Sequence, residues 1–242
     1  VKQPGRTAYS ILRRYSDFPP PGDLVSGGES RIIEGMIDSG LNAPVTTSAG
    51  RLFDAAAALL GLVGVAGYEG EGPIKMEWAA LRYLRDRGRG PDGIREPGTG
   101  GPGAAGCVVR RTAEAEGFPE GWAIPPFVLD PLPVLEEILA ETAGRPGSSD
   151  PSLPGALSCR FHEALAGGIV SAVVTAAEET GWSTVCLGGG VFQNMLLRAL
   201  RIPTLQERGF TVFLNRRVSP GDGGLALGQA YIRRAKGTEK SC

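Results

Sequence analysis

Histidine is nearly absent from this chain: His162 is the only one in 242 residues. Zinc and iron centres draw mainly on imidazole and thiolate donors, so that scarcity matters. The four cysteines, Cys107, Cys159, Cys186 and Cys242, are scattered without metal-ligand spacing. No zinc site is legible from them, and reduced thiols are the default. An excess of charge is also missing. Lys and Arg number 25 against 26 Asp and Glu, a formal net charge of −1, so no bulk basic field attracts nucleic acid and no acidic tail is present. No run approaches the roughly 18 apolar residues of a bilayer span, and the opening Val-Lys-Gln-Pro-Gly-Arg lacks the apolar region of a signal peptide. These absences predict a cytoplasmic protein with neither nucleic acid nor membrane as its partner.

What the chain does hold is 42% hydrophobic residues over a length that suits one large or two modest domains, each with a real core. Residues 7–15 already read as the middle of an amphipathic helix, with Ile11, Leu12 and Tyr15 on one side, so a piece of something longer is expected. Ile32, Ile33, Met36 and Ile37 recur at helical spacing up to Gly40. A loop ending at Ser48, a plausible cap, leads into an Ala- and Leu-rich helix that ends near Leu62. Asp54 is expected in its first turn, where the helix dipole alone accounts for an acid. Tyr68-Glu69-Gly70-Glu71-Gly72 forms a glycine-bearing turn, and Pro73 suits the opening of the next helix. We expect residues 1–87 to be a helical part. Residues 88–121, dominated by Gly, Pro, Arg and Glu with one apolar island at Cys107-Val108-Val109, are expected to be a mobile insertion without chemistry. Residues 122–242 are expected to form a C-terminal α/β lobe.

That lobe starts with strand character at 122–129, a helix at 132–142 and a long helical pattern at 156–180. His162 lies inside the long pattern and reads as a packed core residue rather than a ligand or base. The stretch 184–194, Thr-Val-Cys-Leu-Gly-Gly-Gly-Val-Phe-Gln-Asn, organises the rest: it reads as a buried strand, a glycine turn and a helix start. Gly188, Gly189 and Gly190 let backbone approach a flat ring or phosphate, and the N–H groups opening the next helix favour an anion. The plainer reading is a tight connection that needs glycine only to turn. A helix crossing Pro203 leads to a second strand at 210–214, so the two strands are expected to be parallel. The loop Pro220-Gly221-Asp222-Gly223-Gly224 then faces the same crevice, although Asp-Gly-Gly is also a common turn.

Four separated segments, in this order, resemble one family: Thr47-Ser48-Ala49-Gly50-Arg51-Leu52-Phe53-Asp54, Tyr68-Glu69-Gly70-Glu71, Gly189-Gly190-Val191-Phe192-Gln193-Asn194, and residues 220–229 from Pro220 to Gln229. Together with Phe161-His162 they look like the C-terminal half of the carbamoyltransferase HypF. The resemblance implies a two-lobed α/β fold of the actin/Hsp70-like ATPase type, shared with the threonylcarbamoyl transferases of tRNA and lacking its N-terminal part here. It implies carbamoyl phosphate and ATP as substrates and a carbamoyl adenylate as intermediate. It further implies a HypE-like acceptor whose terminal cysteine takes the carbamoyl group, a step towards the cyanide ligand of [NiFe]-hydrogenases. By position, Gly188, Gly189, Gly190 and Asn194 would cradle the adenosine, Asp54 would meet the ribose or adjoining substrate, and Gly70 would lie against the nucleotide. Asp222 matches a ligand of a divalent metal, zinc or iron, whose two histidine ligands belong to a helix preceding these segments. Two other readings stand beside this one: an O-carbamoyltransferase acting on a small hydroxylated metabolite, and a non-catalytic nucleotide-binding fragment. Cys242 is expected to be inert, because the resemblance assigns the acceptor thiol to the partner.

Overall fold

The structure is a computed structural model that describes residues 2–90, 106–111, 127–143 and 150–238. Helix α1 (Pro4–Tyr15) starts on a proline whose fixed φ suits the first turn, and it buries Ala8, Tyr9 and Leu12. Helix α2 (Gly27–Ser39) is opened by a capping box, in which the Ser26 N–H donates to Glu29 Oε2 at 3.1 Å, and it ends where expected on Gly40. The same Glu29 is held down to about 2 by Arg6 first and by Ser26 second. Helix α3 (Ala49–Leu59) follows Ser48, and α4 (Glu71–Arg85) follows Gly70. Two expectations shift here. Because α3 begins at Ala49, Asp54 falls in its second turn rather than its first, and the helix dipole no longer accounts for it. Helix α4 begins two residues before Pro73 rather than on it.

Strands β1 (Val108–Arg111) and β2 (Phe127–Asp130) pair antiparallel, so Val108 and Val109 of the apolar island open a strand, with Cys107 just before it. Residues 91–105, 112–126 and 144–149, on which most of the expected insertion, part of the strand character at 122–129 and part of the polar link before the long helix fall, lie outside the described residues, as does Cys242. Helix α5 (Leu132–Ala143) precedes α6 (Leu153–Thr180), a rod of 28 residues that packs on α4, α5 and α7. By length and composition alone α6 would pass for a membrane span, with a mean hydropathy of 1.2 over its most apolar window. That window is 56% buried in the fold, as the spine of a core would be. Midway along it, Gly168 seats the hairpin. A Cβ there would lie 2.7 Å from Cys107 Cβ and would strike Leu129 Cδ1.

Strand β3 (Thr184–Leu187) and strand β4 (Thr211–Leu214) pair parallel in the register Thr184↔Thr211 to Leu187↔Leu214. Between them run a 3₁₀ turn (Gly190–Gln193) and α7 (Met195–Glu207), which carries Pro203 in its interior as expected. After β4 come a second 3₁₀ turn (Asp222–Gly224) and α8 (Leu225–Thr238). The main core gathers residues from α1, α3, α4, α5, α6 and α7. At its centre Phe53 and Phe161 meet edge to face with centroids 4.9 Å apart, both wholly buried. Burying a side chain of that size contributes about 1.5–3 kcal/mol. This core fixes α3, α6 and α7 against one another, and so fixes the turn that follows β3.

Candidate nucleotide site

The turn after β3 and the loop after β4 lie against each other at the carboxyl ends of the parallel strands. The Gly189 N–H donates to the Pro220 carbonyl at 2.8 Å, and Gln193 Nε2 donates to Ser219 Oγ at 3.2 Å. Contact is close enough that a Cβ on Gly221 would come within 3.3 Å of Gly190 Cα. The two loops expected to share a crevice are thus in direct contact. The three glycines of the turn have different reasons to be glycine. Gly189 sits at φ 93, ψ 158, a backbone region that only glycine occupies without strain. Neither neighbours nor φ require glycine at Gly188 or Gly190: a Cβ there would meet nothing within 4 Å. A tight connection explains one glycine of the three, and at the other two the turn leaves open space.

Behind the turn, Asn194 is 7% exposed and is the N-cap of α7. Its Oδ1 accepts from the Leu197 N–H at 2.9 Å, and its Nδ2 lies 3.0 Å from His162 Nε2. His162 Nδ1 is 2.7 Å from the Ser158 carbonyl. A carbonyl only accepts, so Nδ1 carries the proton, Nε2 accepts from Asn194, and the direction of every bond in the chain is set. His162 is fully buried and neutral, its pKa pushed down to about 4 by desolvation against the weaker opposing pull of Ser158. The packed-core reading of this histidine holds. Asn194, in turn, has both ends of its carboxamide engaged within the protein, where they fix the turn.

The idea that N–H groups opening α7 await an anion does not survive. Glu77, on α4, accepts from the N–H groups of Met195 at 2.6 Å and Leu196 at 3.2 Å, the Asn194 side chain accepts from Leu197, and the Asn194 N–H itself donates to the Val191 carbonyl at 3.1 Å. The four donors at this terminus are met from inside the chain. Sequence reasoning missed Glu77 because nothing local connects residues 118 positions apart. Asp54 is half-buried beside Arg51 at 3.0 Å, and a Cβ on Gly72, in the first turn of α4, would come 2.7 Å from its Oδ1. Desolvation raises the Asp54 carboxyl above its usual value, with Arg51 pulling the other way. Gly70 takes a left-handed φ of 81 as the N-cap of α4. A cavity of about 480 Å³ opens elsewhere, on the side of α4 that carries Trp78, Leu81, Arg82 and Arg85, and no glycine of either loop lines it.

The family model for the carbamoyltransferase Kae1-like domain, second subdomain, matches residues 1–229. The chain belongs to the HypF carbamoyltransferase family. It is 34% identical over 203 residues to carbamoyltransferase HypF2 of Cupriavidus necator, covering 83% of this chain and 23% of that protein. It is also 34% identical over 222 residues to a carbamoyltransferase HypF homolog of the same organism, covering 92% of this chain and 48% of the relative. A crystal structure of full-length HypF in a phosphate- and nucleotide-bound form superposes with a TM-score of 0.70 at 26% identity, over 96% of this chain and 31% of the other. The ATPase-type α/β fold expected from the resemblance is thus the fold observed. The chain spans about a quarter to a half of these curated relatives.

The open space at Gly188 and Gly190 lies on the turn after β3. The metal is another matter. Asp222 stands exposed in the 3₁₀ turn after β4, and among the described residues no three His, Cys, Asp or Glu side chains come together to hold an ion. One carboxylate does not fit a zinc or iron site. Cys107 and Cys159 are both pushed up to about 12 by burial, so neither supplies a thiolate.

Proposed function

We propose that this chain is the nucleotide-holding part of a HypF-type carbamoyltransferase, which binds the adenosine of a carbamoyl adenylate on the face of Gly188, Gly189 and Gly190. ATP and carbamoyl phosphate are the source of that adenylate. The acceptor is the C-terminal cysteine of a HypE-like protein, and the product serves the cyanide ligand of [NiFe]-hydrogenases. In the transfer, the acceptor thiolate attacks the carbamoyl carbon, a C–S bond forms, and the C–O bond to AMP breaks with its electron pair leaving on the phosphate. Such a step depends on holding the adenylate still while an oxyanion develops. On this reading the chain's own contribution is the hold: Gly188 and Gly190 give the ring access, Asn194 and His162 fix the turn, and Asp54 and Gly70 line the approach from α3 and α4. Asp222 would join a metal only with ligands from elsewhere.

The observation that carries this reading is the pair of glycines that the fold itself does not require, on a turn already joined to a second glycine loop. Calorimetric titration with adenosine and AMP tests it. Saturable binding is expected for the wild-type chain, with a loss of at least tenfold in Gly188→Val and an unchanged melting temperature, because the added side chain projects into the ligand's place. Binding that ignores Gly188→Val would remove the glycine face from the site, and transfer to a small hydroxylated metabolite instead of a cysteine would move the chain to the O-carbamoyl class.

A further inference from the structure

We propose that Glu77 acts as a built-in anion that closes the N-terminus of α7 to phosphate and so makes the glycine turn selective for the uncharged nucleoside part of its ligand. This rests on the nucleotide reading of the turn and adds a specificity-determining residue to it. A helix opening directly after a glycine turn is ordinarily the place where a phosphate settles, since free N–H groups and the dipole both favour negative charge. Here a carboxylate already sits there. Glu77 reaches across from α4 and takes the Met195 N–H at 2.6 Å and the Leu196 N–H at 3.2 Å. The Asn194 side chain takes the Leu197 N–H at 2.9 Å, and the Asn194 N–H donates to the Val191 carbonyl at 3.1 Å.

Two consequences follow from this arrangement. A ligand phosphate arriving at the same terminus meets no free donor and one negative charge, so it is turned away from α7 while the ring face at Gly188 and Gly190 stays open. Glu77 also lies on the helix that Gly70 opens, so its contact with α7 ties the Tyr-Glu-Gly loop to the glycine turn across 118 residues of sequence. The neighbouring Trp78 is 71% exposed on the outer side of α4 and takes no part in this tie.

The test uses the ¹⁵N-labelled chain titrated with inorganic phosphate and, separately, with adenosine and AMP, following the amide signals of Met195 and Leu196. In the wild type these amides are expected to ignore phosphate, and AMP to bind no better than adenosine. In Glu77→Ala both amides should respond saturably to phosphate, and AMP should gain about two- to fivefold over adenosine, the scale set by one charge at a helix terminus. Glu77→Gln keeps the length and one acceptor oxygen without the charge. It is expected to fold like the wild type with a smaller gain, and it serves should Glu77→Ala fail to fold. Saturable phosphate shifts at Met195 and Leu196 in the wild type overturn the proposal, and so does a folded Glu77 variant that gains nothing for phosphate. If adenosine fails to bind any variant while phosphate behaves as described, the nucleotide reading falls and the closure by Glu77 stands.

Discussion

Replacing Asn194 by alanine removes two interactions at once, and their sizes set the expected loss. The first is the N-cap on Leu197, for which truncation costs about 0.5–2 kcal/mol. The second is the donor to His162 Nε2. Without it a fully buried acceptor is left unpaired, at about 1–3 kcal/mol. Together they give roughly 1.5–5 kcal/mol, a large share of the 5–15 kcal/mol that holds a typical domain. Urea denaturation at pH 7.5, read by tryptophan fluorescence and by circular dichroism, measures it. Asn194→Asp separates the two parts. A carboxylate caps as well as an amide, but it accepts where Asn194 donated, so His162 must protonate Nε2 and become an imidazolium beside it. Its folded pKa then rises above the unfolded value. The extra stability of this variant is present below about pH 6.5 and disappears as pH rises through the raised value. An Ala variant that loses less than about 1 kcal/mol, or an Asp variant with the pH profile of the wild type, would refute the assigned bond directions.

The remaining expectations concern pH, the turn and the spine. In the wild type the folded His162 pKa is lowered from 6.5 to about 4, so its stabilising neutrality is complete above pH 6.5 and is lost as pH falls towards 4. At 1.36 kcal/mol per pH unit the ceiling is about 3 kcal/mol; the ring-proton resonance of His162 should titrate near 4, and a value near 6.5 contradicts burial. Gly189→Ala is expected to lower stability by about 1–3 kcal/mol because of its φ of 93, whereas Gly188→Ala should stay within about 0.5 kcal/mol, both by thermal melting. Gly35→Ala on α2, where a Cβ meets nothing within 4 Å, should stabilise by about 0.5–1 kcal/mol. Gly168→Ala on α6 should instead destabilise, since overpacking against Cys107 and Leu129, at about 1–3 kcal/mol, outweighs the same gain.

Much of the C-terminal lobe was legible because local rules sufficed. A short apolar run, three glycines and a helical repeat place β3, the turn and α7, and the second run with a crossover between them makes the pair parallel. The end of α2 at Gly40 and the burial of His162 follow from equally local arguments. What sequence could not give is distance. Glu77 meets α7 from 118 positions away, and His162 meets Asn194 from 32, so neither contact leaves a trace in periodicity or composition. The cap that Asn194 supplies to α7 sits at the helix start read from the sequence, while the imidazole behind it is invisible there. Ser48 is the N-cap of α3 as read, and Asp54, six residues beyond it, falls in the second turn rather than the first. The resemblance named the loops that come together, and the structure showed how the carboxyl end of β3 is held to that of β4.

The seat at Gly168 also makes one small residue answerable for two strands. Cys107 and Leu129 both rest on this position of α6, beside strands whose register is fixed from Val108↔Asp130 to Arg111↔Phe127. A side chain there would press on the residue before β1 and on the third residue of β2 in the same movement, so neither strand could give way without dragging its partner. The missing Cβ is therefore a hinge pin for the pair rather than a gap in the helix.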